Sequence, residues 1–208
     1  MNREDLKLYL ITDNNALMGR DFFEVVEDAL KGGVTMVQLR EKNLSSLDFT
    51  KKANKLKQLT KKYNVPLIIN DNMNIAFDCG AEGLHIGQTD TAIRDARRII
   101  RKDYGKILGI TAGSVSLAMC AEEHGADYIG SGAVFATGTK NDAKPLPFED
   151  LKNITQSVSI PVVAIGGITA ENAHLLKGLG LSGLAISSGI MGAENVYETA
   201  KYLKNLEL

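Results

Sequence analysis

Cysteine, long apolar runs and an excess of either charge are all scarce in this chain, and each scarcity excludes something. Only two cysteines occur, Cys79 and Cys120, with no C-x-x-C. Cys79 lies beside apolar residues near Gly80 and Cys120 in an Ala-rich helical stretch. Both are expected to be small buried thiols, not a disulfide or a nucleophile. No run approaches the roughly 18 apolar residues that a membrane-spanning helix needs. Formal net charge is −1, so nothing global favours nucleic acid or an anionic membrane. Cations that bind an anionic ligand must therefore be local. Residues Met1-Asn2-Arg3-Glu4-Asp5 are charged and carry no apolar targeting segment, and the expected compartment is a reducing cytoplasm. There is no H-x-x-x-H or His/Cys cluster for zinc. Neither G-x-S-x-G nor a nucleophile–base pair supports covalent catalysis. No linker, low-complexity tract or composition break divides the chain, so a single domain over 1–208 is expected.

What is present is an alternation. Short apolar runs at Leu8-Ile11, Thr35-Leu39, Leu67-Asn70, Gly83-Ile86, Ile107-Thr111, Tyr128-Gly130, Val162-Ile165 and Gly183-Ile186 read as strands. Between them, Leu47-Tyr63, Ile93-Lys102, Val115-His124, Glu149-Ser157 and Ala170-Leu179 read as helices. Near-continuous apolar strands separated by helices indicate a parallel sheet with both faces covered. Four phrases echo one another, beginning at Gly32, Gly80, Gly125 and Gly180, about two strand–helix units apart. Each reads as a helix-ending Gly, a short turn, then a strand. An eight-unit chain with a two-unit echo favours a single α/β (β/α)₈ TIM barrel, with an open doubly wound sheet as the lesser alternative.

A (β/α)₈ barrel sends the C-terminal ends of all its strands to one mouth. Gln38 and Arg40 end strand two, with Lys42 just beyond. Asn70-Asp71 end strand three, and His85 to Asp90 follow strand four. Thr111 ends strand five, and Thr137-Gly138-Thr139-Lys140 lies in a long loop after strand six. Gly166-Gly167 follows strand seven, and Ser187-Ser188-Gly189 follows strand eight. Two carboxylates brought within about 5 Å would repel by roughly 3 kcal/mol, and a bound Mg²⁺ turns that into attraction. The inventory therefore reads as two anion sites. One is metal-assisted, built from Arg40, Lys42, Asn70, Asp71, Asp90 and Lys140. The other is metal-free, built from Gly166-Gly167, Ser187 and the loop threonines, with backbone N–H groups as donors.

Each element also has a plainer reading. Asn70 or Asp71 could cap the helix beginning near Met73, and Asp90 the one beginning near Ala92. Arg40 and Lys42 could be a solvated pair bracketing Glu41, and Gly166-Gly167 mere turn punctuation. His85 alone reads as a hydrogen-bonded core residue, His124 as a helix-end residue and His174 as a surface one. The basic run Arg94, Arg97, Arg98, Arg101, Lys102 reads as a solvated helix face.

These tracts resemble the thiamine-phosphate synthase family. The matching stretches are Tyr9-Leu10-Ile11-Thr12-Asp13, Val37-Gln38-Leu39-Arg40-Glu41-Lys42, Ile69-Asn70-Asp71, Gly83-Leu84-His85-Ile86-Gly87-Gln88-Thr89-Asp90, Gly125-Ala126-Asp127-Tyr128, Thr137-Gly138-Thr139-Lys140 and Ala164-Ile165-Gly166-Gly167-Ile168. The resemblance runs from about Leu8 to Gly189. It implies a barrel transferase joining hydroxymethylpyrimidine diphosphate to hydroxyethylthiazole phosphate. Diphosphate would leave first, and the thiazole nitrogen would capture the pyrimidine-methyl cation. By position, the resemblance gives Arg40, Lys42, Asn70 and Lys140 the diphosphate, and Asp71 and Asp90 the magnesium ion (Mg²⁺). Gln38 would contact the pyrimidine, and His85 would help line its pocket. Thr137, Thr139, Gly167 and the Ile186-Ser187 backbone would receive the thiazole phosphate. The partners implied are these two small molecules, with no nucleic acid and no membrane; whether the chain forms a homo-oligomer stays open.

Two departures stand out. After strand five the family usually has Ser, a small residue, then His-Thr, where this chain has Thr111-Ala112-Gly113-Ser114. Thr111 keeps a hydroxyl able to meet the pyrimidine or diphosphate. Ala136 stands where many members have Pro. The rival readings are a thiazole tautomerase relative on the same fold, a non-catalytic phosphometabolite-binding barrel, and another phosphate-binding barrel lyase or isomerase. The first needs only the monophosphate site, the second predicts binding without turnover, and the third would show a strand-borne catalytic Lys or Glu.

Overall fold

The computed structural model describes residues 3–87, 105–136 and 145–208. Eight parallel strands close into a barrel in sequence order: β1 (Leu8–Ile11), β2 (Met36–Leu39), β3 (Leu67–Asn70), β4 (Gly83–Ile86), β5 (Ile107–Thr111), β6 (Tyr128–Gly132), β7 (Val162–Ile165) and β8 (Gly183–Ile186). The ring closes where Leu8 pairs with Leu184 and Leu10 with Ile186. Helices α1 (Phe22–Lys31), α2 (Ser46–Lys62), α3 (Met73–Asp78), α4 (Val115–Glu123), α5 (Phe148–Ser157), α6 (Ser188–Met191) and α7 (Val196–Lys204) pack outside. The (β/α)₈ expectation holds, and each expected strand lies within two residues of its observed ends.

Alternation along each strand divides the apolar side chains into two shells. Leu8, Leu10, Val37, Leu39, Leu67, Ile69, Leu84, Ile86, Leu108 and Ile110 point outward and join the helices in one core cluster. Tyr9, Ile11, Met36, Ile68, Tyr128, Val163 and Ala185 point inward and fill the barrel with Leu6. The same parity places Gln38, Asn70, His85 and Thr111 on the inner face, at or next to the C-terminal ends of their strands. Polar residues therefore occupy one end of an otherwise apolar interior.

The four echoing phrases share a structural job. In each, the residue before the even-numbered strand donates its N–H to a carbonyl at the start of the strand before it, on its first or second residue. The bonds are Thr35 N→Leu8 O, Glu82 N→Leu67 O, Asp127 N→Leu108 O and Ser182 N→Val162 O, all 2.8–2.9 Å. In three of them the side chain also accepts the N–H of that same residue: Thr35 from Leu8 (2.9 Å), Glu82 from Leu67 (2.8 Å) and Asp127 from Leu108 (2.8 Å). These clamps pair strands at the end of the barrel away from the polar groups. A carboxylate accepting a backbone N–H contributes about 1.5–3 kcal/mol. Asp127→Ala should therefore destabilise the protein by about 2 kcal/mol in urea denaturation and leave the KM values unchanged. A shift in either KM would show that the two ends of the barrel are not independent.

Three expectations need correction. Ala170-Leu179 is not an α-helix; it holds only a 3-10 turn at Ala173–Leu176. Asn172 spends its side chain on the preceding loop, accepting from Thr169 N (2.8 Å) and donating to Gly167 O (2.9 Å). That competition, with Gly178 and Gly180 close behind, leaves room for a single tight turn. Cys120 is exposed while Cys79 is buried, because the buried face of α4 is carried by Ala118 and Ala121. The cap of α3 is Asn72, whose side chain accepts from Ile75 N at 3.1 Å, so neither Asn70 nor Asp71 serves as that cap. The expected helix Ile93-Lys102 with its basic run lies outside the described residues. Among the described residues, no helix is long and apolar enough to cross a membrane.

Candidate active site

A cavity opens at the C-terminal ends of the strands. Its lining includes Ile11, Gln38, Arg40, Asn70, His85, Thr111, Gly166, Gly167, Ile186 and Ser187. Among the candidate residues, Gln38, Arg40, Asn70, His85, Thr111, Gly167, Ile186 and Ser187 thus meet in one space, although they come from six strand ends. Asp71 lines an adjoining cavity that shares Asn70 as its wall. Lys42 is exposed on the loop after β2 and lines neither. Asp90, Thr137, Thr139 and Lys140 lie outside the described residues, as does most of the long loop after β6.

The loop after β2 is fastened on two sides. The Arg40 N–H donates to Thr12 Oγ1 at 3.0 Å, and Thr12 is buried. Glu41 is not a solvated neighbour: its side chain is 4% exposed, paired with Lys52 from α2. Asn14 Nδ2 also donates to Glu41, at 2.7 Å. Lys52 in turn lies 3.6 Å over the Phe22 ring. Arg40 is half-buried at the cavity wall and Lys42 reaches solvent, so the two cations have different settings.

Asp71 adopts φ +61, in the left-handed region that side chains rarely enter. Its N–H donates to His85 O at 2.9 Å, so the β3–β4 ladder continues one residue past the strand before the chain turns into α3. Asn70 Nδ2 donates to the Asp71 carboxylate. Strain of this kind collects where a side chain's direction matters more than local stability. Among the described residues no three His, Cys, Asp or Glu gather as a metal cluster. Mg²⁺ is nonetheless served by one or two carboxylates with substrate phosphates and water. The hard oxygen of Asp71 at the mouth fits that donor set.

Across the mouth, Gly166 (φ +99) and Gly167 (φ +67) let β7 turn directly under the loop after β6. A Cβ on Gly167 would lie 2.5 Å from Ala136 O. Helix α6 starts at Ser188, straight after β8, and the first N–H groups of any helix have no intrahelical acceptor. This side of the cavity offers backbone donors, and the β2–β3 side offers charge.

Two buried tyrosines beneath the cavity escape the motif reading. Tyr9 and Tyr128 sit at inward positions of β1 and β6 and are 1% and 0% exposed. Their hydroxyls meet at 2.8 Å and connect Gln38 to His85. Burial raises the pKa of both phenols well above the ordinary tyrosine value. The one signal in the sequence is a phenol at the parity of the inner face, where an aliphatic residue would suffice.

Fold and cavity together define a (β/α)₈-barrel enzyme with its polar mouth at the C-terminal strand ends. Residues 8–190 match the family of thiamine monophosphate synthases. The chain is 48% identical over 203 residues to the thiamine-phosphate synthase of Clostridium acetobutylicum, covering 98% of this chain and 95% of that one. It is 52% identical over 195 residues to that of Methanobrevibacter smithii, covering 94% and 92%. The solved thiamine phosphate pyrophosphorylase of Pyrococcus furiosus superposes with a TM-score of 0.89 at 38% identity, over 97% of this chain and 95% of that one. The chain belongs to the thiamine monophosphate synthase family.

Proposed function

We propose that this protein is a thiamine-phosphate synthase, a single catalytic domain over 1–208 working in the cytoplasm on two small molecules. It would join hydroxymethylpyrimidine diphosphate to hydroxyethylthiazole phosphate. The observation that carries the reading is the meeting of Gln38, Arg40, Asn70, His85 and Thr111 in one cavity, in a chain of this family. The bond between the pyrimidine methylene and the diphosphate oxygen breaks. The thiazole nitrogen lone pair then forms the new C–N bond, and diphosphate leaves with the bonding electrons.

Arg40, Lys42, Asn70 and Lys140 hold the diphosphate and neutralise the charge that grows as it departs, the kind of stabilisation that carries most such rates. Asp71 and Asp90 are the residues that would hold Mg²⁺, which when bound supplies further positive charge to the leaving group. Gln38 and Thr111 orient the pyrimidine, and His85 packs beneath it. Gly167, the Ile186-Ser187 backbone, Thr137 and Thr139 receive the thiazole phosphate, so the acceptor nitrogen is positioned before the cation forms.

The test is product formation from the two substrates with and without Mg²⁺, read as thiochrome fluorescence after oxidation. Mg²⁺-dependent thiamine phosphate is the expected result. Folded protein that binds the thiazole phosphate without making product would instead favour a tautomerase or a non-catalytic binding barrel.

A further inference from the structure

Five side chains from five strands form one buried hydrogen-bonded chain under the cavity. Gln38 Nε2 donates to Tyr9 OH at 2.6 Å, and Tyr9 OH meets Tyr128 OH at 2.8 Å. Tyr128 OH meets His85 Nδ1 at 3.0 Å, and His85 Nε2 meets Thr111 Oγ1 at 3.0 Å. Gly109 makes the middle link sterically feasible: a Cβ there would lie 2.1 Å from Tyr128 Cζ and 2.5 Å from His85 Nδ1. Gln38 and Thr111, the two ends, both line the cavity.

Direction follows from proton counting. Each phenol has one proton to donate, and burial keeps both phenols protonated. With the Gln38 amide donating to Tyr9, the Tyr9 proton finds an acceptor only if it goes to Tyr128. Tyr128 must then donate to His85 Nδ1, which places the imidazole proton on Nε2 and directs it to Thr111. The opposite direction leaves a buried phenol proton without an acceptor, a loss of about 1–3 kcal/mol. The cavity is thereby offered a bare acceptor, Gln38 Oε1, at one end and a hydroxyl proton, on Thr111, at the other.

We propose that this chain makes Tyr9 and Tyr128 positioning residues for specificity, selecting an aminopyrimidine over its oxo counterpart; this rests on the synthase reading. In an aminopyrimidine the exocyclic amino group donates on one edge and a ring nitrogen accepts on the opposite edge. Replacing the amino group by an oxygen sets an acceptor against Gln38 Oε1. Neither tyrosine touches substrate; each acts by holding the two terminal groups to one polarity.

The test compares kcat/KM for the amino substrate and for the 4-oxo pyrimidine diphosphate, in wild type and in Tyr128→Phe, which keeps the ring that packs edge-on against Tyr9 at 5.8 Å. Wild type should prefer the amino compound by at least about 10²-fold, and Tyr128→Phe should shrink that preference about tenfold while the KM for thiazole phosphate stays put. A variant that loses activity equally on both pyrimidines would overturn the proposal, since a purely structural tyrosine behaves that way. Independently of turnover, ¹⁵N NMR of the wild-type imidazoles, with His85 assigned by His85→Gln, should report the Nε2–H tautomer. An Nδ1–H tautomer would overturn the proposal without bearing on the synthase reading. A wild type that makes no thiamine phosphate yet shows Nε2–H would remove the synthase reading and leave the chain's polarity standing.

Discussion

Asp71→Gly is expected to lower kcat by about 10²–10³-fold while the protein melts within a few degrees of wild type. The kinetic side follows from losing a carboxylate that would hold the Mg²⁺ neutralising the departing diphosphate, a loss comparable to removing one preorganised stabilising group. The thermal side follows from the backbone. At φ +61 a side chain costs about 1–2 kcal/mol that glycine does not. Glycine's greater freedom in the unfolded chain returns about 0.5–1 kcal/mol of that, and the Asn70 contact is lost. The terms nearly cancel. Steady-state kinetics across a Mg²⁺ series, beside a thermal melt, separates the two effects. Retained turnover at limiting Mg²⁺ would contradict the role proposed for Asp71.

Gly166→Ala should act the other way, on the fold first and the site second. The new Cβ would stand 2.5 Å from Ala133 Cβ and 2.6 Å from its Cα, at a φ of +99. Left-handed strain of about 1–2 kcal/mol and overpacking of about 1–3 kcal/mol together predict a destabilisation of roughly 2–5 kcal/mol. The atoms that must move belong to the segment after β6, which is tied to β7 by Val134 N→Ile165 O and Phe135 N→Gly166 O, both 3.0 Å. The surviving folded enzyme should therefore show a raised KM for thiazole phosphate with that for the pyrimidine diphosphate little changed. An unfolding free energy in urea within about 0.5 kcal/mol of wild type would mean that β6 and β7 separate more easily than their packing suggests.

Much of this architecture was legible in the residues because strand parity and turn chemistry are local. Leu67-Ile68-Ile69-Asn70 reads as a buried strand with a polar tip without reference to anything distant. The echo at Gly32, Gly80, Gly125 and Gly180 gave the closed barrel, and its cause is visible as strand-to-strand clamps at Thr35, Glu82, Asp127 and Ser182. What stayed hidden depends on partners far away in sequence. Asn172 unwinds an otherwise helical stretch because its side chain is used by Gly167 and Thr169. Glu41 is buried because Asn14 and Lys52 arrive from other elements. Tyr9 and Tyr128 look like ordinary strand aromatics until the barrel closes, since 119 residues separate them.

The pairing of β1 with β8 also has a consequence for how the chain is made. Leu8 emerges in synthesis long before its partner Leu184, with seven other strands of the barrel's sequence order behind it. Until Gly183–Ile186 is available, β1 and β7 each carry an unsatisfied row of backbone donors and acceptors, the kind of edge that recruits other chains. Closing so long a loop is also entropically slow. The hazard for this protein is therefore concentrated in the interval before its eighth strand docks, after which none of the eight described strands presents an edge.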